Sequence, residues 1–412
     1  MKEQAVLREG YLKQLLQWRE KQVIKVVCGV RRCGKSTLLS QFIGQLKASG
    51  VRDEQIIAIN LEAPENGHLL DYKALYDYLK SRLSAGGYSY IFIDEAQQCA
   101  EFEKAVDGLF IQKNVDLYIT GSNAYMLSGE LATLLAGRYV KIDMLPLSFA
   151  EYAAFTGSAA REAKPAFNEY LKSGSFPSVA LLNKDDDTVK TYLDGIYSTI
   201  LIKDVAQREG ITDISVLERV IKFLCSAIGS PVSAKKISDT INSSGRRISV
   251  NTVETYLRAL TESYIFYKVD RYDIKGRQHL KTLSKYYIVD TGIRNLLLSG
   301  SSADLGHLLE NIVYLELLRR GGRVSVGKLA EKEVDFVADT PDGAIYYQVA
   351  ASTLDEHTLE RELEPLRKIP DHHPKYLLTL DEYMSEANYG GIRKLNLVDW
   401  LLPGDAGNAN WR

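Results

Sequence analysis

Gly29-Val30-Arg31-Arg32-Cys33-Gly34-Lys35-Ser36 decides the reading of this chain. It fits the phosphate-loop pattern of a glycine, four residues, then Gly-Lys-Ser. Before it runs Val23-Ile24-Lys25-Val26-Val27-Cys28, a mostly apolar, β-branched strand. After it, Thr37, Leu38, Leu39 and Phe42 open an apolar helical repeat. Strand, glycine turn and helix form the context that the pattern needs. The glycines let backbone N–H groups close around phosphate oxygens, and the helix start adds partial positive charge. Lys35 supplies a point charge for the β- and γ-phosphates, and Ser36 a hydroxyl ligand for Mg²⁺. Residues Gly29 through Thr37 are therefore the candidate nucleotide-binding residues.

Sixty residues on, Tyr90-Ile91-Phe92-Ile93-Asp94-Glu95 is an apolar run ending in two acids. It reads as a buried parallel strand with its carboxylates at the edge where phosphates sit. Asp94 is the second candidate Mg²⁺ ligand. Glu95 is the candidate base that orients and deprotonates an attacking water. Leu117-Tyr118-Ile119-Thr120-Gly121-Ser122-Asn123 is a further strand with a polar end. If it lies between the other two, Ser122 or Asn123 reaches the γ-phosphate or the lytic water. The competing reading is a turn and cap for a helix starting at Ala124.

Arg138, just before the short strand Val140-Lys141-Ile142, is a third catalytic candidate. It either neutralises charge on a γ-phosphate, in its own subunit or a neighbour's, or is a surface residue at a helix end. Arg31 and Arg32 either touch nucleotide or pair with carboxylates such as Asp94 and Glu95.

The 412 residues predict two or three domains. Hydrophobic residues make up 45% and charged residues 25%, as in ordinary globular protein. A net charge of −2 excludes bulk attraction to nucleic acid, so any basic surface is local. Cys28, Cys33, Cys99 and Cys225 show no paired spacing, which argues for a reducing compartment and against a zinc ribbon or disulfide scaffold. The polar start and the lack of a long apolar run predict a cytoplasmic chain without membrane spans.

Leu7, Tyr11, Leu15 and Trp18 share one helical face beside the first domain. Gln55–Asn60 reads as a strand and Leu70–Leu83 as a helix. From about residue 147 the strand–helix alternation stops, and residues 147–213 read as helical. Asp185-Asp186-Asp187 is a solvated cap, and Arg208 a weak nucleotide-sensor candidate. Residues 214–300 show three helical stripes, a strand at Ile265–Val269, a basic turn at Lys275-Gly276-Arg277 and a return strand at Tyr286–Val289. That is a winged-helix pattern, with about seven more basic than acidic residues. Arg246, Arg247, Lys275 and Arg277 are its candidate DNA-phosphate contacts. Residues 301–412 read as an apolar helix carrying Glu310, then strands carrying Asp335 and Gln348. This is the layout of a restriction-endonuclease-like core. Such a core needs a lysine two residues after Gln348, where this chain has Ala350, so the core is expected to be degenerate and nuclease activity doubtful.

These stretches, with Leu309-Glu310-Asn311 and Glu333-Val334-Asp335-Phe336, resemble a family of bacterial and archaeal AAA-type P-loop ATPases of the catalytic-glutamate class. Its members join an N-terminal ATPase domain to a C-terminal region of unknown function. The resemblance implies ATP at the loop, Mg²⁺ near Ser36 and Asp94, and Glu95 as base; it implies no substrate. The expected architecture is a three-layer α/β ATPase with a parallel sheet over residues 1–146, then a helical and winged-helix region and a small endonuclease-like α/β domain. The expected activity is ATP hydrolysis that switches the C-terminal modules. DNA targeting, or a nucleotide-bound scaffold without turnover, is the alternative. ATP is the expected partner, with DNA, a second copy or another protein as further candidates.

Overall fold

Every residue of strand β1 (Ile24–Cys28) is buried, as is every residue of β3 (Ser89–Asp94). Strands buried on both faces need helices above and below them. In the computed structural model, which describes residues 7–124, 135, 137–158, 162–182, 185–276, 278–298 and 305–403, this is the layout of the first of two compact units. That unit comprises Met1–Pro146 with Glu262–Tyr264. With β2 (Ile56–Asn60), β4 (Val115–Gly121) and β5 (Tyr139–Asp143), the two strands form one parallel sheet in the order β2-β3-β4-β1-β5. Helices α1 (Glu9–Gln17), α2 (Lys35–Ala48), α3 (Tyr72–Lys80) and α4 (Phe102–Phe110) accompany it. Asp71 starts α3 by accepting the Lys73 and Ala74 N–H groups. The three-layer α/β architecture is as expected.

The core carries a stack of Phe92 on Tyr118, 4.8 Å between ring centroids, with Phe42 5.1 Å from Tyr118. Beneath it lies a fully buried ion pair, Lys25 with Asp116. Asp116 also accepts the Tyr118 hydroxyl and the Glu20 N–H, both at 2.8 Å. Lys25 donates to the Lys21 carbonyl as well. Its charge is thus compensated inside the sheet.

The second unit comprises Leu147–Thr261 and Ile265–Arg412. It opens with α5 (Phe149–Thr156), started by a Ser148/Glu151 capping box, then α6 (Ala163–Ser173), α7 (Pro177–Leu181) and α8 (Asp186–Thr199). Asp185 caps α8 by accepting the Thr188 N–H, which explains the aspartate run. A π-helical turn, Ile200–Gln207, extends α8. There follow α9 (Ile214–Ser226), α10 (Ala234–Ser243), α11 (Val250–Glu262), a hairpin of β6 (Phe266–Asp273) and β7 (Gln278–Ile288), and α12 (Thr291–Leu298). The chain ends with α13 (Leu305–Arg319), β8 (Arg323–Leu329), β9 (Lys332–Thr340), β10 (Gly343–Val349), α14 (Glu356–Arg367), β11 (Lys375–Thr379), β12 (Ala387–Tyr389), β13 (Ile392–Asn396) and α15 (Leu397–Leu401).

One difference from the sequence reading stands out. Residues 214–300 and 301–412 read as separate modules, yet their strands share one eight-stranded sheet, ordered β12-β13-β11-β10-β9-β8-β6-β7. The join is a parallel pairing of β6 with β8, Arg271 opposite Val326. Pairing between strands so far apart in sequence leaves no local pattern.

Removing one partner of the Lys25–Asp116 pair strands the other charge in the core. Asp116→Ala should cost about 3–5 kcal/mol, read from the urea transition of the first unit. A loss under ~1 kcal/mol would show that the pair is dispensable.

Candidate functional site

The loop between β1 and α2 is shaped by backbone contacts. A Cβ on Gly29 would lie 2.1 Å from the Met144 carbonyl oxygen, so no side chain fits there. Arg32 (φ 68°) and Gly34 (φ 104°) both take left-handed backbone, which curls the loop before α2. Gly34 caps that helix, and its first turn holds no acidic residue, so the positive end of the helix dipole stays uncompensated. Ser36 and Thr37 are exposed on that turn.

Lys35 is only 4% exposed. Its ammonium donates to the carbonyls of Gly29 (3.1 Å) and Val30 (3.4 Å) and lies 3.5 Å from Glu95 Oε1. Burial pulls its pKa down, but the Glu95 and Asp94 carboxylates raise it, and the balance is a raised pKa. The opposite balance holds at Glu95. Burial pushes its carboxyl up, while Lys35, the Gln97 amide, Arg31 and Ser122 hold it below the ordinary range. Glu95 is therefore an ionised carboxylate in a dry site. The two thiols nearby are inert: burial raises Cys33, and pushes Cys28 up to about 12.

Strand order brings the remaining groups together. β4 lies between β3 and β1, with Cys28 opposite Gly121 and Ile93 opposite Ile119. The loop, the acidic pair and Ser122-Asn123 thus end at one carboxyl edge, and Ser122 and Asn123 are buried there. Thr120 couples them: its hydroxyl accepts the Glu95 N–H at 2.9 Å and donates to Asp94 Oδ1. Gln97 Nε2 bridges Glu95 Oε2 (2.5 Å) and Ser122 Oγ (3.2 Å). The helix expected from Ala124 falls outside the described residues.

The arginines divide. Arg31 is buried and pairs at 2.9 Å with Glu62, just past β2, and its charge also acts on Glu95. Arg32 is exposed. Arg138 is not brought to the loop. Its carbonyl accepts the Ile24 N–H at the amino end of β1, and its guanidinium pairs with Asp107 on α4. In a parallel sheet that is the opposite edge, about 16 Å away along five residues of strand. Arg208 follows the π-helical turn of the second unit.

Sequence reading missed four residues. Thr120 lies inside the quoted β4 stretch, and Gln97 two residues past the acidic pair. Glu62 and Arg8 carry no local signal. Arg8, just before α1, is 3% exposed and donates to backbone carbonyls beside the loop.

In the second unit, Glu310, Asp335, Gln348 and Ala350 line one cavity of about 440 Å³. Asp335 accepts the Val349 N–H at 2.8 Å, and Gln348 donates to Glu362 at 2.9 Å. Lys285 of β7 lies 3.6 Å from Glu310 and 2.6 Å from Glu333. Lys332 pairs instead with Glu364. Among the described residues no three His, Cys, Asp or Glu side chains are arranged to hold a metal ion. Arg277, one of the candidate DNA contacts, lies outside the described residues. No helix among the described residues is long and apolar enough to cross a membrane.

Residues 21–153 match the model of an AAA domain, and residues 164–304 that of a domain of unknown function, DUF8612. The chain is 41% identical over 405 residues to an uncharacterised protein of Haemophilus influenzae, covering 98% of this chain and all of that one. It is 31% identical over 366 residues to the uncharacterised protein MJ1544 of Methanocaldococcus jannaschii, covering 84% of this chain and 78% of that one. Among solved structures it is similar to the Walker-type ATPase PABY2304 of Pyrococcus abyssi. The TM-score is 0.49 at 17% identity, over 72% of this chain and 97% of that one. With 41% identity along nearly its full length, the chain belongs to the family of the Haemophilus influenzae protein, and it carries an AAA-type P-loop ATPase domain ahead of DUF8612.

Proposed function

We propose that the chain binds ATP with Mg²⁺ and hydrolyses it, and that the nucleotide state switches the second unit. The observation that carries this reading is the buried Lys35 ammonium, held 3.5 Å from the Glu95 carboxylate at the carboxyl edge of the sheet. Its contacts to the loop carbonyls are the kind that phosphate oxygens replace. The donor set fits a hard cation: the Ser36 hydroxyl and the Asp94 carboxylate are both oxygen ligands, and they would hold Mg²⁺. That ion would supply charge neutralisation on the phosphate oxygens.

The chain's own residues do the rest. The loop amides from Val30 to Ser36 and the α2 terminus grip the phosphates. Gly29 lets that backbone approach closely. Thr37 lies on the same first turn, on the nucleotide side. Lys35 moves from its carbonyl partners to the β- and γ-phosphates, which frees Glu95. Glu95, already ionised, accepts a proton from the attacking water. Gln97 and Thr120 hold its side chain and backbone, and Ser122 and Asn123 stand where the water and γ-phosphate meet. Arg138 takes no part within its own chain; a γ-phosphate contact requires a second copy.

A second reading, nucleic-acid binding by the second unit, is favoured by one observation. An isolated antiparallel bridge joins Val232, between α9 and α10, to Ser284 of the β6–β7 hairpin. That supports a winged helix, and Arg246, Arg247 and Lys275 are exposed around it. The alternative of a nuclease draws no such support, because the position two residues after Gln348 holds Ala350 in place of a lysine.

Lys35→Ala should weaken ATP binding about 100-fold or more, measured by calorimetry. Glu95→Gln should keep binding and lower kcat by about 10²–10⁴; parental turnover would remove Glu95 from the mechanism. For the second reading, Arg246→Ala with Arg247→Ala should weaken duplex DNA binding and flatten its log–log salt slope by ~0.9 per lost phosphate contact. Anisotropy titrations that show the same slope would end that reading.

A further inference from the structure

Arg8 is a buried cation that the chemistry above leaves unused. It precedes α1, 3% exposed, and its guanidinium spans two pieces of backbone. Nη1 donates to the Cys33 carbonyl at 3.3 Å. Nη2 donates to the carbonyls of Leu145 (2.8 Å) and Pro146 (3.4 Å). Its own N–H donates to Gln41 Oε1 on α2 at 3.5 Å. Tyr11 completes the clamp: its hydroxyl accepts the Leu145 N–H at 3.1 Å, and its ring centroid lies 4.9 Å from the guanidinium carbon. The same strand exit packs against Gly29 through the Met144 carbonyl.

The Cys33 contact matters most. In a trans peptide the C=O and the following N–H point in opposite directions. A donor that holds the Cys33 oxygen at the back of the loop therefore aims the Gly34 N–H to the front. Gly34 is one of the two left-handed residues of the loop, and its amide is one of those that would meet a phosphate. The planar fork fixes the directions of these contacts rigidly, whereas an ammonium on a flexible stem holds its partners without setting their planes.

We infer that Arg8 is a positioning residue for the phosphate loop: it fixes the Cys33–Gly34 peptide plane from behind, so that the Gly34 amide faces the phosphates of a bound nucleotide. This rests on the nucleotide-binding reading. The grip acts on phosphates before and during hydrolysis alike, so its loss appears in KM rather than kcat.

The test uses the full chain, with Arg8→Lys and Arg8→Ala beside the parent. ATP turnover gives kcat and KM, calorimetry gives the Kd for ADP, and melting is followed without nucleotide. Arg8→Lys keeps the buried charge but not the fork, and it decides the matter if Arg8→Ala does not fold. The expected result for Arg8→Lys is a KM for ATP and a Kd for ADP each raised about 10-fold, the loss of one charge-assisted contact, with kcat within twofold of the parent. Parental KM and Kd in Arg8→Lys overturn the proposal, whatever the melting temperature does, because Arg8 then serves the fold alone. A parent chain that binds neither ATP nor ADP overturns both this proposal and the reading beneath it.

Discussion

The contact between Gly29 and the Met144 carbonyl constrains the rest of the first unit. The backbone after β1 lies against the exit of β5 so closely that the space for a methyl group is already taken. With that approach made, the loop turns over the sheet edge in six residues and hands directly into α2. Lys35, on the first turn, then points back under its own loop instead of out to solvent. The burial of that ammonium, and of the carboxylate facing it, follows from the geometry of this single backbone contact.

Two buried lysines show how the sheet treats charge at its two edges. Lys25 points toward the amino edge, where Asp116 and the Lys21 carbonyl enclose it. Burial wins there, and its pKa is lowered despite the Asp116 partner. Lys35 lies at the carboxyl edge among carbonyls and two acids, and its pKa is raised despite its burial. One edge is a closed network whose members satisfy each other. The other gathers more negative charge around its cation than neutrality needs, and it sits beside an uncompensated helix start. Only the second arrangement can exchange its internal partners for an external anion with its own cation.

Much of the first unit was legible because its chemistry is local. A glycine turn between an apolar strand and a helix, and an acidic pair ending another strand, are patterns of neighbouring residues, and each lies where the pattern implies. The position of Ser122 and Asn123 hung on whether β4 separates β3 from β1, which it does. For Arg138 the sequence leaves two readings, a γ-phosphate contact and a surface residue, and its place ahead of a strand bears on the choice. A residue just before a parallel strand sits at the amino edge, away from groups that follow the other strands. Arg8 and Glu62 left no clue, because each is defined by a partner more than twenty residues away. In the second unit the helices and strands were readable one by one. Their joining into a single sheet was not, since strand pairing at long range is a property of the packed molecule. No lysine follows Gln348 by two residues, and the ammonium beside Glu310 arrives from β7, far off in sequence.

That shared sheet has a bearing on how such proteins are dissected and inherited. Severing the chain between α12 and α13 would not free two ready-made parts. It would leave β6 and β8 each with a raw flank of unsatisfied amides and carbonyls, the kind of surface that recruits a stranger's strand. The hairpin is thus welded to the strands that follow it, and whatever either half does depends on an edge that the other half covers.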